Sequence, residues 1–201
     1  QSFTILPLPG TAGLMDYMST GGDMESKGVE AEIQWLPGSR WNISANLAWL
    51  DAKFNDYEVP AIAGLGYIEG HSMGDTLSLE GWRPALSPEW SFTAQASYIF
   101  DIGKGGTLTP MIQTAYVGEQ YVNDLNLAGA RQGSYTKTDI RLFWDLPGNK
   151  IKMQFYLENI EEQDNLNSVM VYNPVERPEI ATLLGNWGDL MTYGILMSYK
   201  W

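Results

Sequence analysis

The stretch Tyr193-Gly194-Ile195-Leu196-Met197-Ser198-Tyr199-Lys200-Trp201 has a large apolar side chain at every second position. Successive side chains of an extended strand point to opposite faces, so this strand would have one apolar face and one small or polar face, with Leu196 as the exception. A soluble domain seldom ends on tryptophan, whose ring is better placed among lipid headgroups than in water. We therefore predict a β-strand that ends at a membrane surface, with the edge strand of a soluble β-sandwich as the alternative.

The composition favours strands and turns over helices. The 201 residues include 21 glycines, and 12% of the chain is aromatic whereas 18% is charged. The net charge of -12 excludes a nucleic-acid-binding protein, because too few cations are present to neutralise a run of phosphates. No apolar run approaches the roughly 20 residues that a membrane helix needs, so any membrane span would have to be β.

The absence of cysteine and the presence of a single histidine limit the chemistry. Disulfides, thiolate catalysis and cysteine-ligated metals are excluded, and no histidine pair can form around His71. A metal at His71 or a calcium site at Asp51, Asp56 and Glu58 has no supporting spacing. We therefore predict no catalytic residue, no resident metal and no cofactor, and we regard the chain as not an enzyme.

Alternation of apolar and polar residues recurs along the chain. Six further stretches show it, at residues 29–35, 41–49, 92–100, 108–116, 139–146 and 151–158, and residues 2–8 are a candidate eighth strand. Three tight turns join them: Pro37-Gly38-Ser39-Arg40, Gly103-Lys104-Gly105-Gly106 and Pro147-Gly148-Asn149-Lys150. Long segments lie between, at residues 57–84, 122–134 and 163–188. Short turns at one end and long loops at the other are typical of outer-membrane barrels.

Aromatic residues gather at both ends of the predicted strands, as in the interfacial girdles of membrane barrels. Aromatic pairs that stabilise hairpins in water are the alternative explanation. The members near the short turns are Trp35, Trp41, Phe100, Trp144 and Trp201, and those near the long loops are Tyr57, Tyr116, Tyr121 and Tyr193.

A β-sheet in lipid must close, because each unpaired backbone group in hydrocarbon costs several kcal/mol. Eight strands can close into a small barrel with a structural role. The abrupt start at Gln1 and the length of the loops instead favour the last part of a larger barrel.

Several ordered motifs resemble those of TonB-dependent receptors. The segment Glu25-Ser26-Lys27-Gly28-Val29-Glu30-Ala31-Glu32, followed by Ala45 to Phe54, is similar to a hairpin of that family. Pro84 with Pro88-Glu89-Trp90-Ser91 resembles its next descending strand, and Tyr156-Leu157-Glu158-Asn159-Ile160 resembles its penultimate ascending strand. The end, Tyr193 to Trp201, matches with Trp in place of the commoner Phe.

The resemblance implies a transmembrane antiparallel β-barrel of 22 strands, filled by an N-terminal plug and driven by an inner-membrane complex that pulls the TonB box. Residues 1–201 would supply the last seven or eight strands, without the plug. The implied location is the bacterial outer membrane, with the C-terminus at the periplasmic side. The implied partners are the rest of the barrel and plug, the TonB complex through the absent N-terminal part, outer-membrane lipid and lipopolysaccharide, and the barrel-assembly machinery. The signal read by that machinery would be the alternating residues Tyr193, Ile195, Met197, Tyr199 and Trp201.

The resemblance also places cargo binding in the external loops. Side chains there that can stack on a ligand or form paired hydrogen bonds with it are the candidates: Tyr67, Trp82, Arg83, Arg131, Tyr172, Arg177 and Trp187. The charged residues of the polar faces would line the lumen, where they could pair with each other, with a plug or with water: Glu30, Glu32, Asp139, Arg141, Asp145, Lys152 and Glu158. The expected function is uptake of a scarce nutrient, a ferric siderophore first, with carbohydrate or cobalamin-like cargo as alternatives.

Overall fold

The computed structural model describes the backbone of residues 2–7, 16–60, 76–172 and 182–201, and the side chains of residues 22–59, 76–148, 150–170 and 183–201. Strands dominate these ranges, and three single-turn 3-10 helices lie at Gly103–Gly105, Ala128–Ala130 and Pro147–Asn149. In the ranges just given, no helix has the length and apolar character needed to cross a membrane.

Eight long strands form one antiparallel sheet in the order β1-β2-β3-β5-β7-β10-β11-β14. Each predicted alternating stretch lies largely in one of them, so the predicted strands are confirmed, although residues 92–100 run past the end of β5 at Tyr98. Their bounds are β1 Ser2–Pro7, β2 Asp16–Trp35, β3 Trp41–Pro60, β5 Trp90–Tyr98, β7 Thr107–Val117, β10 Tyr135–Asp145, β11 Ile151–Glu158 and β14 Thr192–Tyr199.

Six shorter strands complete the described part. Phe100–Asp101 (β6) continues the line of β5 and pairs with β7, whereas Thr76–Ser78 (β4) pairs with the far end of β3. The long loops contain two hairpins of their own, Gln120–Tyr121 with Arg131–Gln132 (β8–β9) and Leu166–Tyr172 with Thr182–Trp187 (β12–β13).

The three predicted short turns all lie at one end of the sheet, which we call the short-turn end. Gly38 and Gly148 have φ of 85° and 80°, a left-handed conformation that glycine adopts without steric cost. At the opposite end, β2 and β3 are each 20 residues long, about twice what crosses a bilayer. β3 therefore reaches Pro60, inside the segment that the sequence predicted to be a loop.

Register places apolar and polar residues on separate faces of the sheet. Directly paired residues of adjacent strands share a face, so each row of partners tests the predicted separation of an apolar face from a polar face. One row across seven strands is Trp35, Ile43, Ala96, Ile112, Ile140, Leu157 and Tyr193. The neighbouring row on the other face is Gln34, Ser44, Gln95, Gln113 and Asp139.

The two exceptions to alternation lie together. Phe143 and Leu196 both pair with Gln154, so they share one place on the polar face near the short-turn end. The exceptions therefore form a local apolar spot on the polar face.

Buried apolar side chains of the described residues lie at the long-loop end. One cluster contains Phe54, Tyr57, Val59, Leu77 and Leu79, and a second contains Val122, Ala130, Leu166 and Val169. The prediction that Tyr57 belongs to an interfacial girdle is therefore wrong: its side chain is 4% exposed and packs against Phe54, with ring centroids 4.7 Å apart. Tyr116 and Tyr193 do point outward, 37% and 76% exposed.

Candidate functional site

Trp82 is part of the packing of the first loop cluster. A turn at Leu79–Trp82 folds back on the extension of β3, where the Phe54 N–H donates to the Trp82 carbonyl (3.0 Å) and the Gly81 N–H to the Phe54 carbonyl (2.8 Å). The Trp82 side chain packs against the buried cluster and is half-buried. The long strand β3 thus supplies the support on which the neighbouring loop residues are held.

Arg83 follows this turn and is exposed. Its guanidinium lies 3.3 Å from one oxygen of Glu89, and the other Glu89 oxygen accepts a hydrogen bond from the Trp49 indole at 3.4 Å. The Arg83 carbonyl accepts from the Asn126 side-chain amide at 3.2 Å. Arg83 is therefore fixed at the junction of two loops, with part of its guanidinium open to solvent.

The two loops are joined by further hydrogen bonds. The Ala85 N–H donates to the Asp124 carboxylate at 2.7 Å, and the Leu86 N–H donates to the Tyr121 carbonyl at 2.8 Å. Residues 83–86 and 121–126 consequently form one connected surface above the sheet.

Arg131 lies on β9 and forms an ion pair with Glu119. The hydrogen bond from Arg131 lowers the pKa of Glu119, and the charge of Arg83 acts in the same direction. Burial of the Glu119 carboxylate opposes this shift only in part. The two predicted arginines therefore lie within electrostatic reach of one carboxylate.

Trp187 ends β13 on a separate hairpin. It is 59% exposed and pairs in register with Leu166, whose side chain packs in the second cluster against Val122 and Ala130. The Leu166 N–H also donates to the Gln132 side-chain carbonyl at 2.5 Å. The β12–β13 hairpin is thus packed against the loop that carries Arg131, and it presents Trp187 to solvent.

Three predicted ligand residues have no described side chain. Tyr67 and Arg177 lie outside the described residues, and Tyr172 is described only by its backbone position at the end of β12. Four predicted residues have described side chains. Trp82, Arg83 and Arg131 lie on the two joined loops, and Trp187 lies on the hairpin that packs against the second loop.

The polar face carries the ion pairs that the sequence predicted. Arg141 lies 3.4 Å from Asp139 and 2.5 Å from Glu158, and Lys152 lies 2.9 Å from Asp145. Glu30 and Glu32 are exposed and form no ion pair with the described residues. Five of the seven predicted charged residues therefore form ion pairs on this face, and the two glutamates do not.

Asn159 joins this polar face to the loops. It is 4% exposed and has a left-handed φ of 55°. Its N–H donates to Asp139 (3.0 Å), its side-chain amide donates to the carbonyls of Gln163 (3.0 Å) and Asp189 (2.9 Å), and its side-chain oxygen accepts from the Gln163 N–H (2.9 Å). Asn159 belongs to the motif from Tyr156 to Ile160, but no pattern in the sequence predicts this role.

Charge at the long-loop end disfavours a strongly anionic ligand. Acidic residues are numerous at this end, and no group of three or more histidine, cysteine or acidic side chains within the described ranges is arranged to hold a metal ion. Glu89 and Glu119, the ion-pair partners of Arg83 and Arg131, were not predicted. They lie 6 and 12 residues from the arginines, and such separations within loops follow no periodic pattern in the sequence. The further acidic residues of this end are Glu58, Glu80, Glu162, Asp164 and Asp189.

Comparison with known proteins gives the family of this fold. Residues 3–160 match the family model described as TonB dependent receptor-like, beta-barrel. The Pesticin receptor of Yersinia pestis is 24% identical over 148 residues, which cover 73% of this chain and 18% of that protein.

Solved structures with a similar fold come from two organisms. The ferric yersiniabactin uptake receptor FyuA from Yersinia pestis has a TM-score of 0.69 at 19% identity and is matched over 91% of this chain and 24% of its own. The siderophore receptor PiuA from Acinetobacter baumannii has a TM-score of 0.63 at 14% identity, over 96% and 23%. BauA, the ferric preacinetobactin receptor of the same organism, has 0.59 at 16%, over 98% and 25%.

The chain thus spans about a quarter of the solved receptors and less than a fifth of the Pesticin receptor. The family match covers most of the chain, and its alternating antiparallel sheet is what a barrel of the outer membrane requires. This chain belongs to the TonB-dependent receptor family, whose members are transport receptors, and its strands are part of the family's outer-membrane β-barrel.

Proposed function

We propose that residues 1–201 are the C-terminal part of the barrel of an energy-coupled uptake receptor, and that the complete receptor imports a ferric siderophore. The observation that carries the cargo proposal is the family match together with relatives whose names specify ferric siderophores or siderophores. The plug and the TonB-contacting segment would lie outside this chain.

The open sheet supports a larger barrel over a self-contained one of eight strands. β1 and β14 lie at opposite edges of the sheet, and the pairings of the described strands do not join them. Each edge would expose unpaired backbone groups to hydrocarbon, at a cost of several kcal/mol per group. Further strands at both edges remove that cost.

In the same arrangement the short turns face the periplasm, and the sequence from Tyr193 to Trp201 serves as the signal for barrel assembly. Lipid and lipopolysaccharide surround the apolar face.

The cargo would contact the surface formed by Arg83, Arg131 and Trp187, with Trp82 as its support. Trp187 offers an exposed ring for stacking, and the two guanidiniums retain open donors beyond their carboxylate partners. The surrounding carboxylates favour a neutral or cationic face of the cargo. Tyr67, Tyr172 and Arg177 belong to the same proposal as residues of the adjoining loops.

The test is uptake by the full-length receptor in iron-limited cells with and without TonB. We expect TonB-dependent accumulation of radioiron from at least one ferric siderophore in a panel that also includes labelled cobalamin and oligosaccharides. Uptake of cobalamin or an oligosaccharide alone would replace the cargo proposal with that class. A folded species of the mass of this chain alone, obtained without further strands, would overturn the larger barrel.

A matched pair of tryptophans tests the binding surface. Trp187 and Trp35 are 59% and 60% exposed and lie at opposite ends of the molecule. We expect Trp187→Ala to weaken cargo binding by about tenfold, because loss of a stacking aromatic ring typically costs about 1–3 kcal/mol. Trp35→Ala should leave binding unchanged, and equal effects of the two substitutions would contradict the proposed surface.

A further inference from the structure

The short-turn end has the opposite charge from the rest of the chain. Four basic residues, Arg40, Lys104, Lys150 and Lys200, lie in the turns or at the end of β14, and we call them the basic rim. Asp101 lies near Lys104 in the chain, and its carboxylate accepts a hydrogen bond from the Gly103 N–H at 2.8 Å. In the whole chain, by contrast, acidic residues outnumber basic ones 24 to 12.

The basic rim is free to bind a ligand. All four side chains are exposed, and none forms an ion pair within the part of the chain that the structure describes. Lys150 precedes β11 and Lys200 follows β14, and their backbones lie side by side, because the Lys200 N–H donates to the Lys150 carbonyl at 2.8 Å.

An apolar groove of about 580 Å³ opens on the lipid-facing side next to the rim. Ala96 and Pro110 form its floor, because these small side chains lie between larger ones. Pro110 also has no N–H to donate, and the pairing between β5 and β7 is interrupted there before it resumes at Phe100. The larger side chains around the floor are Trp41, Tyr98, Phe100, Ile112 and Ile140.

The groove and the rim are physically joined. The Arg40 carbonyl accepts a hydrogen bond from the Ile99 N–H at 2.9 Å, between Tyr98 and Phe100 of the groove wall. Tyr98 packs edge-on against Trp41 (4.8 Å) and Phe100 (4.6 Å), so the aromatic wall begins next to Arg40. Lys104 lies four residues beyond Phe100, in the adjoining turn.

We infer that the short-turn end binds a phospholipid with an anionic headgroup, whose phosphate contacts Arg40 and Lys104 of the basic rim while one acyl chain lies in the apolar groove. The inference rests on the proposed orientation, in which the short turns face the periplasmic leaflet. Charge complementarity selects the headgroup, since basic residues near an anionic membrane surface are each worth about 1 kcal/mol, or a factor of about five in affinity. An apolar occupant alone would not need the rim.

The experiment uses the full-length receptor with phosphatidylglycerol and phosphatidylethanolamine of identical acyl chains, and measures lipids retained in native mass spectrometry. We expect phosphatidylglycerol to be retained about tenfold more strongly. Arg40→Gln with Lys104→Gln should remove most of that preference. The control is Lys27→Gln with Lys53→Gln, which deletes the same two charges at the long-loop end and should preserve it.

A second variant tests the groove without changing charge. Ala96→Phe fills the floor and should reduce retention of both lipids, whereas the same variant would disrupt a dimer if a second copy of the chain occupied the groove. Equal retention of the two lipids, or equal effects of the rim and control variants, would overturn the inference. Loss of a dimer in Ala96→Phe would also overturn it, as would binding of lipopolysaccharide but not phosphatidylglycerol. Cargo uptake measured on the same variants separates the two proposals, because lost lipid preference with normal uptake removes only this one.

Discussion

The wall of the sheet and the long-loop end differ in where they put large apolar side chains. On the wall these side chains are exposed: Val29, Ile33 and Ile195 are 65%, 62% and 62% accessible. In the described part, the buried ones lie at the long-loop end, with Phe54 at 1% and Leu79 at 0%, although Leu86 and Leu190 there are 60% exposed. The ten buried apolar residues of the described part all lie at that end.

The difference follows from the solvent that surrounds each region. Lipid tails are as apolar as leucine, so the wall gains stability without burying its side chains inside the protein. The loops stand in water and need conventional hydrophobic cores to remain ordered. Apolar side chains therefore face lipid in one part of the chain and are buried inside the protein in the other. The change occurs along β3, between Trp49 and Phe54.

The largest expected effect is at Phe54. Phe54→Ala should leave a cavity in the first loop cluster and cost about 3–5 kcal/mol of local stability. Hydrogen exchange of residues 76–82 in the full-length receptor measures this loss. Ile112→Ala on the wall is the control, because lipid fills the space left by the deleted side-chain atoms. Equal exchange in the two variants would contradict the conclusion that the loops, unlike the wall, depend on buried apolar side chains.

The wall itself is tested by two adjacent residues on opposite faces. Ile112→Arg places a charge in lipid near the middle of β7 and should cost about 2–4 kcal/mol of folding free energy. Gln113→Arg places the same charge on the polar face and should cost much less. Refolding of the full-length receptor into vesicles from urea measures both, and a larger cost at Gln113 would reverse the assignment of the faces.

The wall could be predicted from sequence because its signal is local. Alternation, tight-turn residues and a difference in loop length each depend on residues close together in the chain, and the strands and short turns were found where those patterns placed them. The family motifs added the barrel, which alternation alone could not distinguish from a soluble sandwich.

The loop end could not be predicted in the same way. Tyr57 follows an alternating strand and was expected to face lipid, but β3 continues into water, where the residue is buried. The packing of Trp82 on the cluster that contains Phe54, Tyr57 and Leu77 was not predicted either. Such contacts join distant segments, and their partners leave no periodic signal.

Asn159 lies where wall and loops meet, and its expected effect is intermediate. Asn159→Ala removes the side-chain hydrogen bonds to Gln163 and Asp189 and leaves a residue with a Cβ in a left-handed conformation. We expect a loss of about 1–3 kcal/mol, measured by urea unfolding. Asn159→Gly separates the two causes, because glycine relieves the backbone strain and still lacks the hydrogen bonds. Equal stability of wild type and Asn159→Gly would show that the hydrogen bonds do not matter.

The smallest expected effect is at the ion pair of Glu119 and Arg131, since pairs between exposed side chains contribute little. The lowered pKa of Glu119 fixes the sign of the pH dependence: its stabilising effect is present above the ordinary glutamate pKa and is lost as the pH falls through the lowered value. Hydrogen exchange around residues 118–122, corrected for intrinsic rates, should therefore rise about twofold on acidification. In Arg131→Gln most of this increase should disappear, because the hydrogen bond that is the largest cause of the lowered pKa of Glu119 is removed and only the weaker effect of Arg83 remains. The loops would thus lose little order from a change of charge and much from Phe54→Ala, as expected for a region in water held by hydrophobic packing.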